Sequence, residues 1–198
     1  MNKTKKIILV TGGARSGKST YAEKIAMNYG EPGELGKCEQ GNIVYLATAV
    51  PVDGEMVQRI KDHQEDRPAG WVTLEESLKI THALSRLPQG TKAVLIDCIT
   101  FWVSNHLMDK AGVEEPRGNK VKEIEVAIVE EARKLCGSLK ELDCSAIIVS
   151  NEVGLGLVPE HVLSRIYRDA LGRANQMLAE VSEEVIFMIS GIPLKVKG

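Results

Sequence analysis

Aromatic side chains are scarce in this sequence: two Phe, two Trp and four Tyr. A chain so poor in stacking surfaces offers no platform for single-stranded nucleic acid. Excess charge of either sign is also missing. Lys plus Arg number 25 against 27 Asp plus Glu, a formal charge of -2. No basic field exists to hold a duplex or an anionic membrane, so neither partner is expected. No stretch approaches the ~18 apolar residues of a membrane span. The basic opening MNKTKK leads into an apolar run too short for a signal peptide. Four cysteines occur, Cys38, Cys98, Cys136 and Cys144, with no C-x-x-C pair among them, which removes zinc-site spacing. A cytoplasmic protein with free thiols is expected, three of them packing as small hydrophobes. Internal repeats, low-complexity tracts and a linker long enough to split the chain are absent as well. The whole of 1–198 is therefore read as one domain, long enough to bury roughly 70% of its unfolded surface without a metal or disulfide staple.

What is present is an alternation. Short apolar runs at 7–11 (IILVT), 43–47 (IVYLA), 93–96 (AVLI), 145–149 (SAIIV) and 185–189 (VIFMI) read as buried strands. A short strand at 71–74 and an edge at 192–196 complete the set. Between them lie segments of helical spacing at 19–30, 55–66, 75–87, 101–108, 121–142 and 160–181. Strands apolar on both faces and alternating with helices imply a mostly parallel sheet covered by helices on both sides. Loops are expected at 30–42, which holds four glycines and a proline, at 111–119 and at 151–159.

The first strand runs into GGARSGKS: Gly12, Gly13, Ala14, Arg15, Ser16, Gly17, Lys18 and Ser19. That string fits G-x-x-x-x-G-K-[ST] between a strand and a helix, the phosphate-binding P-loop. Backbone N–H groups converge on phosphate oxygens, glycines permit the close approach, and the helix N-terminus favours the negative charge. Lys18 would neutralise the β- and γ-phosphates, and Ser19 would ligate Mg²⁺. Asp97 closes the third apolar strand, where it either orients Mg²⁺ or caps the following helix.

Of four histidines, His63 alone lies just downstream of the second strand, in RIKDHQEDRP. It continues the helical face of Met56 and Ile60. Two readings stand side by side. His63 is a half-buried stripe residue, or its neutral imidazole attacks the α-phosphate of a nucleoside triphosphate and forms a phosphoramidate. The second reading needs the second strand to lie near the first, so that the following helix sits beside the P-loop. His82, His106 and His161 sit in helical segments and read as packing or surface residues.

Taken together, ILVTGGARSGKSTYAE, YLAT, RIKDHQEDRP with Trp71, LIDCITFWVSN, VSNEVGLGLVPE, YRDALGRANQ and VIFMISGIPLKVK resemble one family. It is that of the bifunctional adenosylcobinamide kinase/adenosylcobinamide-phosphate guanylyltransferases. The resemblance implies a P-loop NTPase fold of RecA-like type and two reactions. ATP or GTP phosphorylates a hydroxyl of adenosylcobinamide; GMP then passes from GTP to that phosphate through a guanylylated histidine, with pyrophosphate released. The match places the nucleophile at His63. It also implies nucleotide contacts at 12–19, at Ala47, Thr48 and Ala49, at Gln64, Glu65, Asp66 and Arg67, and at Glu75 and Asp97. Mg²⁺ and a homotrimer come with the resemblance. Some relatives carry two adjacent histidines where this chain has Asp62 and His63, and some carry Glu at the place of Asp97. A plain P-loop kinase and a non-catalytic nucleotide switch are the alternatives, the switch disfavoured by the lack of an N-K-x-D guanine-reading motif. Asn151, Glu152, Gly154 and Gly156 form either a substrate-contacting loop or a plain turn. Arg168, Asp169, Arg173 and Asn175 read first as structural or oligomer contacts.

Overall fold

A computed structural model describes residues 5–30, 42–51, 54–65, 67–68, 70–112 and 115–198. Within 54–65 the side chains of Glu55, Arg59, Ile60, Asp62, His63 and Glu65 are outside that description, as are Cys38, Asp66 and the interior of the 30–42 loop.

In chain order the elements are β1 (Ile7–Gly12), α1 (Lys18–Met27), β2 (Ile43–Ala47), α2 (Gly54–Glu65), β3 (Val72–Glu75), α3 (Ile80–Leu84), β4 (Ala93–Asp97), α4 (Ile99–Ala111), α5 (Asn119–Glu141), β5 (Ser145–Val149), α6 (Val162–Val181), β6 (Glu184–Ile189) and β7 (Ile192–Lys197). The sheet has seven strands in the order β3-β2-β4-β5-β1-β6-β7. Every pairing is parallel except β6 with β7, an antiparallel hairpin at the edge.

Successive side chains of a strand point to opposite faces, and the core divides accordingly. Leu9, Val44, Leu46, Val94, Ile96 and Ile148 join the larger cluster, which α3, α4, α5 and α6 cover. Ile8, Val10, Ile43, Tyr45, Leu95, Ile147 and Val149 face the other way, against Ala22 and Ala26 of α1. Helices thus flank both faces, as the doubly apolar strands require. Among the described residues, no helix is long and apolar enough to cross a membrane.

Two expectations change. The helix predicted over 75–87 shrinks to Ile80–Leu84. Glu75 stays in β3, and the Glu76 carboxylate accepts hydrogen bonds from the N–H groups of Leu78 (3.0 Å) and Lys79 (2.8 Å). That local turn competes with helix over 76–79. The second change is strand order: β5 and β4 separate β2 from β1, so the second strand is not beside the first.

Candidate active site

In a parallel sheet the strand ends that share a polarity also share an edge. Here Ala47 pairs with Glu75 and Asp97, and Asp97 with Val149. The carboxyl ends of β3, β2, β4 and β5 therefore lie level with one another, beside the end of β1.

From β1 the chain turns through 13–17 into α1. Gly12 has φ 152°, and a Cβ there would meet the Met188 carbonyl oxygen at 2.5 Å, so no larger residue fits. Gly17 has φ 85° immediately before α1, and its carbonyl accepts the Tyr21 N–H at 3.0 Å. Two outside N–H groups brace the loop, Glu152 to the Gly12 carbonyl and Gly191 to the Ser16 carbonyl, each at 3.0 Å. The Lys18 ammonium donates to the Gly13 carbonyl at 2.9 Å. Ser16 Oγ is buried without a hydrogen-bond partner.

A cavity of about 470 Å³ opens over this edge. The loop contributes Ala14, Arg15, Lys18 and Ser19, and β2 with its continuation contributes Tyr45, Ala47 and Ala49. Helix α2 closes one side with Met56, Val57, Lys61 and Gln64. Pro51, Arg67, Glu75, Asp97, Cys98, Thr100, Phe101, Val149 and Asn151 complete the wall. Thus α2 borders the phosphate loop's cavity although two strands stand between β1 and β2. Level strand ends, rather than strand adjacency, bring the two together.

Several expected positions meet here: Ala14, Arg15, Lys18, Ser19, Ala47, Ala49, Gln64, Arg67, Glu75 and Asp97. Gly12, Gly13, Ser16 and Gly17 are outside the lining and shape the loop. Thr48 is fully buried and spent elsewhere: its hydroxyl donates to the Cys98 carbonyl at 2.7 Å and accepts the Cys98 N–H at 2.8 Å. That pair of bonds ties the end of β2 to the end of β4. The His63 backbone belongs to α2, seven residues after Met56, hence on nearly the same side of the helix. The expectations for the side chains of His63 and Glu65, and for Asp66, fall outside the described residues.

Polar contacts organise the wall. Tyr45 Oη donates to Asp97 Oδ2 at 2.9 Å. Burial, then the Asp97 charge, pushes the Tyr45 hydroxyl far above its ordinary value, so it remains a donor. The Arg67 guanidinium lies 4.0 Å from the Tyr45 ring centroid, and its Nη1 donates to Thr73 Oγ1 at 3.1 Å. Gln64 Nε2 donates to Glu75 Oε1 at 3.2 Å. Asn151 is fixed by its main chain: its N–H reaches Thr100 Oγ1 at 2.8 Å, and its carbonyl accepts Asn175 Nδ2 at 3.0 Å. Asn175 is itself held by Ser150 Oγ at 2.6 Å. Its role is a brace for the end of β5, whereas Arg173 pairs with Glu125 of α5 at 3.0 Å.

Arg67 Nε and Asn151 Oδ1 are buried and unpartnered on this wall. Orphaned polar atoms around a cavity mark it for a polar ligand. Ser19 and Asp97 offer the hydroxyl and carboxylate oxygens that a hard divalent cation takes alongside phosphate oxygens, so the donor set fits Mg²⁺. Among the described residues no cluster of three or more His, Cys, Asp or Glu could hold a metal by itself. Cys98 is the cavity's one described thiol, and burial, then Asp97, pushes it up to about 12. A thiol held that high is protonated at neutral pH. Tyr45, Lys61, Thr100 and Phe101 were not singled out by sequence. Among these Tyr45 left one trace, a hydroxyl inside an otherwise apolar strand.

A phosphate loop between strand and helix, facing a carboxylate on the strand two places away, defines a P-loop nucleotide-binding α/β enzyme. The family model described as cobinamide kinase / cobinamide phosphate guanyltransferase matches residues 8–196, and the chain belongs to that family. It is 37% identical over 191 residues to the bifunctional adenosylcobalamin biosynthesis protein CobU of Escherichia coli K12, covering 96% of this chain and 99% of that protein. The protein of the same name from Salmonella typhimurium LT2 is 38% identical over 191 residues, with the same coverage. The bifunctional adenosylcobalamin biosynthesis protein CobP of Pseudomonas aeruginosa PAO1 is 38% identical over 190 residues, 96% of each chain. Among solved structures, an ATPase domain is similar at a TM-score of 0.45 and 17% identity, covering 93% of this chain and 69% of that one.

Proposed function

We propose that one cavity, in a single domain spanning 1–198, performs two successive transfers on adenosylcobinamide. In the first, a substrate hydroxyl oxygen attacks the γ-phosphorus of ATP or GTP. An O–P bond forms, the β–γ bridging bond breaks, and the nucleoside diphosphate leaves with the hydroxyl proton lost to solvent. In the second, a ring nitrogen of His63 attacks the α-phosphorus of GTP. The α–β bridging oxygen departs with pyrophosphate. A phosphate oxygen of adenosylcobinamide phosphate then attacks the same phosphorus, the N–P bond breaks, and the imidazole is regenerated.

The residues divide the work by position. The 12–19 loop and the Lys18 ammonium hold the departing phosphates and draw charge from them. Mg²⁺, held by Ser19 and Asp97, would neutralise charge on the β- and γ-phosphates. Arg67 and Lys61 supply positive charge on the α2 side, where the α-phosphate would lie. Ala47 and Ala49 leave room for the nucleoside, while Gln64 and Glu75 present polar edges to it. The observation that carries this reading is the continuity of the cavity from Lys18 to Lys61 and Gln64 of α2. One bound triphosphate can then meet the loop at its tail and the His63 helix nearer its head.

A homotrimer belongs to the same reading. Leu155, Leu157 and Val158 are 83%, 96% and 67% exposed, and large exposed aliphatics support an association surface. The free buried thiols of Cys98, Cys136 and Cys144 support a cytoplasmic setting.

Mass analysis of products from adenosylcobinamide with ATP or GTP tests the proposal. Adenosylcobinamide phosphate is expected with either donor, adenosylcobinamide-GDP plus pyrophosphate only with GTP. Lys18→Ala should depress both products. A plain kinase would stop at the phosphate, and a switch would make neither product.

A further inference from the structure

The Asp97 carboxylate accepts a hydrogen bond from a residue in the neighbouring strand. Tyr45 lies opposite Leu95 in the β2–β4 register, and both face the α1 side of the sheet. Asp97 is two residues beyond Leu95, hence on the same face, a diagonal neighbour within reach of a long aromatic side chain. The Tyr45 hydroxyl uses that reach, donating to Asp97 Oδ2 at 2.9 Å. The ring has little freedom: Tyr45 is 3% exposed, Trp71 lies 6.5 Å away between centroids, and the Arg67 guanidinium covers the ring at 4.0 Å. A fixed ring fixes its hydroxyl, and the hydroxyl in turn holds one carboxylate oxygen while leaving Oδ1 for a ligand.

We propose that Tyr45 is a positioning residue for the divalent cation: its hydroxyl locks the rotation of the Asp97 carboxylate so that the remaining oxygen meets the metal beside Ser19. The proposal rests on the reading of Asp97 as a metal-directed residue. Groups that orient a ligating carboxylate commonly affect metal affinity by about 10–100-fold. Tyr45→Phe removes the hydroxyl and keeps the ring under Arg67, so the site loses its lock without losing its wall.

The test is a Mn²⁺ titration followed by electron paramagnetic resonance, in the presence of a non-hydrolysable GTP analogue. Wild type, Tyr45→Phe and Asp97→Asn are compared, with metal-free binding of the analogue and the urea midpoint measured alongside. Tyr45→Phe is expected to weaken Mn²⁺ binding about tenfold while metal-free analogue binding stays within about twofold. Asp97→Asn should weaken Mn²⁺ binding at least as much. Wild-type Mn²⁺ affinity in Tyr45→Phe, with Asp97→Asn impaired, overturns the role of Tyr45 alone. Unchanged affinity in Asp97→Asn overturns the metal reading of Asp97 and this proposal with it. A Tyr45→Phe protein that loses metal-free analogue binding in proportion to Mn²⁺ would show general damage to the cavity and equally overturn the positioning role.

Discussion

At position 106 an imidazole is sealed into the inner side of α4. Its Nε2 meets the Leu78 carbonyl at 3.1 Å, an acceptor it shares with Trp102 Nε1 at 2.8 Å. A carbonyl partner requires the proton on Nε2, which leaves Nδ1 buried and unpartnered. Protonating Nδ1 would bury an unmatched N–H beside a charge. Burial accordingly lowers the His106 pKa from 6.5, opposed by the Leu78 carbonyl and by the charge of Glu131 on α5. The sign follows from proton linkage. Below 6.5 the unfolded chain binds a proton that the folded chain resists, so this contribution is present above that value and is lost as the pH falls. The urea midpoint of wild type should drop between about pH 7.5 and pH 5.5 by more than that of His106→Gln. Equal drops would contradict the account. At this scale sequence reading is uneven. The placement of Lys18, Ser19 and Asp97 around one cavity is legible because a motif and a strand end mark their positions. Tyr45 is not, nor is the bracing of Asn151. Their contacts arise from a diagonal across strands and from bonds to Thr100 and Asn175, residues distant in sequence.

Among the elements, strands were the more legible. Continuous apolar runs bounded by turn residues gave β2 and β5 at their observed limits, 43–47 and 145–149. Helical spacing misled at 75–87 because periodicity does not register a side chain that caps its own backbone. Glu76 is such a case: its carboxylate takes two N–H groups ahead of α3, and its own N–H bonds to the Ala47 carbonyl at 2.9 Å. Glu76→Ala should therefore speed hydrogen–deuterium exchange of the Leu78 and Lys79 amides relative to those of β4. Unchanged exchange there would show that the carboxylate protects neither. Strand order was beyond the sequence altogether. Which parallel strand lies beside β1 is set by pairing between segments far apart in the chain, which local periodicity does not register. The long α5 precedes β5, the strand that lies next to β1.

For the molecule as a whole, the consequence of that order is an economy of sites. The parallel strands from β3 to β1 end level around one cavity, so the loop after β1 and the helix after β2 border the same space although two strands separate β1 from β2. On the proposed reading, two chemistries at different phosphorus atoms need no second nucleotide pocket: the γ-phosphorus would lie toward the loop and substrate, the α-phosphorus toward α2. The most direct measurement uses GTP carrying radiolabel at either the α- or the γ-phosphate, incubated with Mg²⁺ and the protein without corrinoid. The account predicts that only the α-label becomes covalently attached, in an acid-labile and alkali-stable bond, and that His63→Asn abolishes attachment while keeping kinase turnover when adenosylcobinamide is supplied in a separate assay. Label retained in His63→Asn, or transferred from the γ-position, would contradict it.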